Sequence, residues 1–187
     1  MRLTRRTRRG VTIIEGALVM SVLALFLFGI LEYARFLMVL HVTHNAARDA
    51  ARYASVNQDK PESFDADDFT DGAGRHYQSI RAYAQARMGG VHRQLEGYEM
   101  AVYPVDSSGA SLTPPVVRAK PRTGVPPGEY PNPFDPADPR RTSWNNATYP
   151  EGIAVSIRGV YKPLLPGFLL MPSEVPVNVT FVASSGG

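Results

Sequence analysis

Apolar and polar residues divide the chain into a long N-terminal helix and a mixed C-terminal part. Between Val11 and Leu31 the sequence is almost wholly apolar, and Glu15 is its one ionisable side chain. As a helix this run would be about 31 Å long, which matches the roughly 30 Å hydrocarbon core of a bilayer. Ten Leu, Ile, Val or Phe residues lie between Gly16 and Leu31. Together they contribute on the order of −3 to −6 kcal/mol to the free energy of insertion. This contribution exceeds the cost of placing one carboxylate near the edge of the membrane. The pattern predicts a transmembrane helix over residues 11–31.

The helical pattern continues over residues 32–56. Phe36, Leu37 and Leu40 recur at helical spacing, and a stripe of alanines then follows beside charged residues. No proline interrupts residues 11–60. We therefore expect an amphipathic extension of the same helix, which would measure about 45 residues and roughly 65–70 Å in all.

Residues 57–187 are expected to form an α/β head. A second amphipathic helix is predicted from Gly74 to Met88, where two glycines stop it, and it is expected to pack on a sheet. A short strand is predicted at Tyr98–Tyr103, ended by Pro104.

Two longer strands follow from a regular alternation of apolar and polar residues around 153–158 and 175–181, and they are expected to be antiparallel neighbours. Ten prolines between 104 and 139 indicate a long irregular loop, either mobile or laid over the head. The predicted fold class is α+β, with a small antiparallel sheet packed on the upper half of the long helix.

Positive charge is concentrated at the N-terminus. The first ten residues contain five arginines and no acid, and without these arginines 15 basic side chains remain against 17 acidic ones. A cationic surface for nucleic acid is therefore not indicated. By the positive-inside rule, the arginines keep the N-terminus cytoplasmic and the head is exported. The chain has no cysteine, which excludes disulfides, thiolate metal sites and a cysteine nucleophile.

The junction between the basic leader, residues 1–10, and the apolar run predicts proteolytic processing. An ordinary secretory signal has a shorter apolar region and a small-x-small cleavage site. Here the apolar run is longer, and no pair of Ala, Gly or Ser residues spaced by two occurs between Val11 and Val56. Gly10 instead places a small residue before the scissile bond, directly after a basic flank. Cleavage between Gly10 and Val11 would create an α-ammonium group one helical turn from Glu15.

Glu15 is costly at the edge of the hydrocarbon unless it is paired. The freed amine of Val11, on the same chain or on a neighbour in a filament, is the expected partner. Such a pair would set the axial register of subunits more than it would add stability. The alternative is that Glu15 reaches the lipid headgroups in an anchor that is never cleaved.

Two motifs that flank the membrane helix carry a family resemblance. Arg-Arg-Gly-x4-Glu precedes the apolar run, and Ala-Ala-Arg-Asp-Ala-Ala-Arg-Tyr-Ala follows it at 46–54. Over about the first 55 residues, the chain resembles the TadE-like pilin and pseudopilin proteins of the tight adherence (Tad, or Flp-type) pilus. Two positions depart from the family pattern, because Gly16 stands where a bulky residue is common and Ser21 where a proline is common.

The resemblance implies a single-pass protein of the bacterial inner membrane with a pilin-like head. It further implies cleavage after Gly10 by a prepilin peptidase and a role as a minor pilin in the assembly or function of the pilus. Incorporation of the protein into the pilus is compatible with this role. The implied partners are that peptidase, other Tad pilins and pseudopilins, the inner-membrane assembly platform and the lipid bilayer.

Two other functions stay open. One is an uncleaved, membrane-anchored extracytoplasmic scaffold of a secretion or assembly complex, and the other is an enzyme or ligand-binding module formed by the head. The sequence shows no catalytic Ser/His/Asp order, phosphate-binding loop or carboxylate dyad. We therefore expect neither an enzyme nor a bound cofactor.

Six residues of the helix are candidates for packing and register: Glu32, Arg35, Ala47, Arg48, Ala51 and Arg52. Glu32 and Arg35 stand at positions i and i+3 and can pair on the helix surface just outside the membrane. The alanines permit close approach of a helix from another subunit, whose register the arginines would select, or of the protein's own sheet, or of both on opposite faces.

No metal site is expected. His41 and His44 lack the further ligands that zinc requires. Four aspartates lack the spacing of a calcium-binding loop and are interpreted as a solvated acidic loop: Asp65, Asp67, Asp68 and Asp71.

Overall fold

A computed structural model describes residues 9–106, 118–124, 130–148, 150–164, 166–167 and 171–184. The helices and strands follow in the order α1 (Arg9–Val56), β1 (Phe69–Thr70), β2 (His76–Tyr77), α2 (Ile80–Met88), β3 (Leu95–Val105), β4 (Gly152–Tyr161) and β5 (Val175–Ser184). The predicted α+β class, with a long N-terminal helix and a small antiparallel sheet, is confirmed.

The long helix α1 is continuous over 48 residues, as predicted. Its large apolar side chains from Ile13 to Leu31 are 44–73% exposed. Above Leu31 a buried stripe begins, and from Val39 onwards each of its positions has another three or four residues away, as the helical repeat requires: Glu32, Val39, Thr43, Ala46, Ala47, Ala50, Ala51 and Ala54. The helix ends where the Asn57 side chain donates to the carbonyl of Tyr53 at 2.8 Å. One helix therefore serves two different environments.

The main sheet has the strand order β3-β4-β5 and is antiparallel throughout. Both strands predicted from the alternation pattern exist and are neighbours, with longer bounds than predicted. The sheet residues Ile153, Val155, Ile157, Val177 and Val179 belong to the same buried core as the alanines of α1. Tyr161, paired with Val175, contacts Glu32, whereas Phe181 lies near Arg48 further along α1. β5 therefore runs in the same direction as α1, away from the apolar run, and the end of the sheet formed by Leu95, Tyr161 and Val175 is its base.

The start predicted for the second helix is wrong. α2 begins at Ile80, because the Ser79 side chain accepts a hydrogen bond from the Ala82 amide at 3.2 Å and so caps it. Residues 76–77 instead form β2, paired with β1. α2 also packs mainly against α1 rather than on the sheet, and the rings of Tyr53 and Tyr83 stack at 4.2 Å.

The end predicted for the strand at Tyr103 is also wrong, since β3 continues to Val105. Pro104 is tolerated because β3 is an edge strand, where a missing N–H costs no ladder hydrogen bond. Its carbonyl accepts from the Lys120 amide at 2.7 Å.

The proline-rich segment lies over the back face of the sheet in the part that the structure describes. Ala119 and Phe134 pack there against Ala101, Tyr103 and Ala154. The sequence left open whether this segment is mobile or laid over the head. Its described residues lie over the head. Residues 107–117 and 125–129 lie outside the described part of the chain.

Candidate functional site

The lower half of α1 is the part that can enter a membrane. Among the described residues, α1 is the one helix long and apolar enough to cross a bilayer, and very little of its most apolar stretch is buried in the protein. A continuous apolar surface of this length is unfavourable in water and favourable in lipid. The helix therefore indicates a membrane anchor.

The predicted processing site lies in the first turn of α1. The backbone of Gly10 and Val11 is helical and continues without a break through Glu15, whereas residues 1–8 lie outside the described part. Glu15 is exposed and has no hydrogen-bond or ion-pair partner among the described residues. The spacing that would bring an amine on Val11 one turn from Glu15 is thus present in the helix, while cleavage itself stays a prediction.

Glu32 is buried at the base of the head rather than exposed on the helix. Only 7% of its surface is accessible. Its Oε1 atom accepts a hydrogen bond from the Tyr161 hydroxyl at 2.7 Å and another from the Leu164 amide at 3.2 Å. A buried carboxylate needs such donors, and here the last residue of β4 and the loop after it supply them.

Arg35 turns to the head as well. Its Nε atom donates to Oε1 of Gln94 at 3.2 Å, and its guanidinium group lies 5.6 Å from the centre of the Tyr161 ring. The predicted Glu32–Arg35 pair is therefore wrong, because both side chains have partners on the head instead. Together with Phe36, whose ring centre is 5.4 Å from that of Tyr161, these residues form what we call the base contact: Glu32, Arg35, Phe36, Gln94, Tyr161 and Leu164.

Tyr161 remains a hydrogen-bond donor over the whole physiological pH range. Burial, and secondly the hydrogen bond to Glu32, raise the pKa of Tyr161 to about 12. Its hydroxyl therefore stays protonated and can hold the carboxylate of Glu32, 129 residues away in the sequence. The base contact thus fixes the sheet to α1 at the point where the apolar run ends.

We expect Tyr161→Phe to lower the free energy of unfolding of the head by about 1–3 kcal/mol, because the buried carboxylate of Glu32 loses its shorter hydrogen bond while the ring packing is kept. Trp144 is the single tryptophan and is buried, so its fluorescence during denaturant unfolding in detergent reports on the head. Tyr33→Phe, an exposed tyrosine next to Glu32, is the control. Equal stability of the two variants would contradict the role given to the hydroxyl.

The alanine stripe packs inside the protein. Ala47 and Ala51 are fully buried in the core that α1 shares with the sheet. Of the two interpretations, docking on the protein's own sheet is the one observed, and these two alanines are not available to a helix from another subunit. Arg48 and Arg52 are exposed, with Arg48 lying 5.8 Å from the Phe181 ring centre. A register role for these arginines stays a prediction.

The histidines and aspartates considered as metal ligands are not brought together in the part of the chain that the structure describes. His41 and His44 are exposed, and the described residues contain no cluster of three metal-binding side chains. Asp68 accepts from the Ser79 amide at 2.7 Å, and Asp71 accepts from the amides of Ala73 and Arg75 at 2.9 Å. These two aspartates shape the loop before α2.

Three members of the base contact were not predicted from the sequence: Gln94, Tyr161 and Leu164. Tyr161 ends an alternating strand directly before Lys-Pro, but nothing local indicates which distant residue it meets. A carboxylate placed directly after an apolar run was the one available signal, because such a group needs a partner.

The structure thus defines a class of protein in which one helix provides a membrane anchor below and the core of a small α/β head above. Comparison with family models gives a match to the family described as TadE-like protein over residues 10–52. The match covers about a quarter of the chain, confirms the resemblance and supports a pilin-like protein associated with a Tad pilus. Comparison with curated proteins and with solved structures gives no match.

Proposed function

We propose that the chain is a minor pilin-like subunit that a prepilin peptidase cleaves after Gly10 and that takes part in assembling or operating a Tad-type pilus. The observation that carries this proposal is the TadE-like match, which begins at residue 10. It falls on a helix whose lower half exposes apolar side chains instead of packing on its own head.

The geometry suggests how the protein would be stored and then used. Before processing, α1 would hold the chain in the inner membrane with the arginine-rich leader in the cytoplasm and the head outside. Cleavage would remove five positive charges and leave one ammonium group on Val11. Glu15, exposed and without a partner among the described residues, could then pair with that group on its own chain or on a neighbouring subunit.

We further propose that the head acts through contacts with other pilins and with the assembly platform, not through catalysis. The buried carboxylate of Glu32 is committed to holding the sheet on α1. The exposed side chains of Tyr33, Leu37 and Met38 on α1 remain open to neighbouring subunits.

Intact-mass measurement and N-terminal sequencing of the membrane form test the proposal. We expect the chain to begin at Val11 when it is produced with the prepilin peptidase of its own system, and to keep residues 1–10 when that peptidase is absent. An intact leader in cells that assemble normal pili would contradict the proposal and favour the uncleaved scaffold.

A further inference from the structure

The connection between β4 and β5, residues 162–174, carries an exposed leucine at the base of the head. The structure describes residues 162–164, 166–167 and 171–174 of this connection. The Leu164 side chain is 70% exposed, while its amide donates to Glu32 at 3.2 Å. Because Glu32 directly follows the apolar run, this hydrogen bond places Leu164 at the level where α1 would leave the hydrocarbon.

The exposed apolar surface of α1 does not stop at Leu31. Tyr33, Leu37 and Met38 are 46%, 47% and 58% exposed, and Met38 lies about 10 Å above Leu31 along the helix. The interfacial layer of a bilayer adds roughly 5–8 Å on each side of the hydrocarbon. Tyr33, just above Leu31, fits the preference of aromatic residues for this layer. The apolar part of α1 that projects above the hydrocarbon is therefore about as tall as the interfacial layer.

The charges around Leu164 favour an apolar contact over an electrostatic one. Lys162 pairs with Glu96 and lies 3.6 Å from Glu174, so one ammonium group faces two carboxylates and the cluster offers no net positive charge to lipid headgroups. Pro163 and Met171 are buried and hold the two ends of the connection, whereas Pro166 and Gly167 are exposed like Leu164. A leucine held in this way has its side chain free for lipid.

We infer that Leu164 is a second membrane contact, which enters the interfacial layer of the leaflet from which α1 emerges. The head then contacts the lipid surface at two points, the helix and Leu164, instead of at the helix alone. The base contact sets the height of this second point, because Glu32 binds the Leu164 amide and the Tyr161 hydroxyl together. The inference rests on the membrane anchor and does not require processing or pilus assembly.

The absence of cysteine makes the inference testable by single-cysteine labelling of the full-length chain in phosphatidylcholine/phosphatidylglycerol nanodiscs. Three variants, Leu164→Cys, Leu23→Cys and Ser184→Cys, would each carry an environment-sensitive fluorophore. Leu23 lies in the middle of the apolar run and is 61% exposed. Ser184 lies at the opposite end of the sheet from Tyr161 and is also exposed. Lipids with a spin label either at the headgroup or deep in the acyl chain would serve as quenchers.

We expect the Leu164 label to be quenched at least twofold more than the Ser184 label, and more strongly by the headgroup spin label than by the deep one. The Leu23 label should show the opposite depth preference. If the Leu23 label is quenched but the Leu164 label is quenched no more than the Ser184 label, the inference about Leu164 would be overturned while the membrane anchor would stand. A blue-shifted Leu164 label that lipid does not quench would indicate coverage by a second copy and would also overturn it. An unquenched Leu23 label would overturn the membrane anchor and the inference with it.

Discussion

Replacing Gly10 with leucine is expected to leave the protein inserted in the membrane with residues 1–10 still attached. We expect the peptidase to require a small residue before the scissile bond, so that an isobutyl group would displace the peptide, and a displacement of about 1 Å at a reacting centre can lower the rate roughly 100-fold. Insertion is expected to persist because the apolar run is unchanged and a leucine favours the membrane. The fraction of chains that begin at Val11, measured by intact mass after a fixed time of co-expression with the peptidase, checks this expectation.

Gly16→Leu is the matched control for Gly10→Leu. Gly16 lies on the same helix, and an added Cβ atom there would meet nothing within 4 Å, so the substitution adds the same side chain in open space. Because a bulky residue is common at this position in the family pattern, this variant should be processed at least as fast as the natural sequence. If Gly10→Leu lost its leader as fast as Gly16→Leu, the predicted cleavage position would be wrong.

Glu15→Ala is expected to allow insertion and processing but to lower incorporation into assemblies roughly 3- to 20-fold. This range corresponds to about 0.6 kcal/mol, the average for polar contacts between membrane helices, up to a maximum of about 1.7 kcal/mol. The substitution removes an exposed carboxylate for which the described part of the chain offers no partner, so it should not disturb the head. The amount of the variant that is crosslinked to other pilins or recovered with purified pili, relative to its amount in the membrane, is the measurement.

Two further substitutions separate charge from size at position 15. Glu15→Gln keeps the length of the side chain and removes its charge, and it should behave like Glu15→Ala. Glu15→Asp keeps the charge on a shorter side chain and should retain part of the incorporation. Normal incorporation of the alanine variant would show that no charge pair is needed for docking.

The sequence predicts the elements whose patterns are local. The apolar run of α1 and the alternation that marks β4 and β5 depend only on the periodicity of residues within each element, and all three elements are confirmed. The residues at which helices and strands begin and end were harder to predict from the sequence. The capping of α2 by Ser79 shortens the predicted helix, and Pro104 ends no strand because β3 happens to lie at the edge of the sheet.

The partners of Glu32 and Arg35 could not be predicted, because a spacing of three residues shows only which side chains can meet on the helix. The Glu32 carboxylate instead meets the hydroxyl of Tyr161, 129 residues further on, and Arg35 meets Gln94. Whether a helix surface faces solvent or its own sheet is decided by the tertiary fold. The same limit applies to Ala47 and Ala51, whose small size suits either kind of neighbour.

Because α1 continues unbroken from the apolar run into the core of the head, the orientation of the head is coupled to that of the helix. A turn of the helix about its axis carries the whole sheet through the same angle, and each residue along the helix corresponds to about 100° of rotation and 1.5 Å of height. Contacts of the helix within the lipid therefore also influence the direction in which each flank of the head faces. Such contacts within the membrane thereby influence which side of the head is presented to a partner outside the membrane.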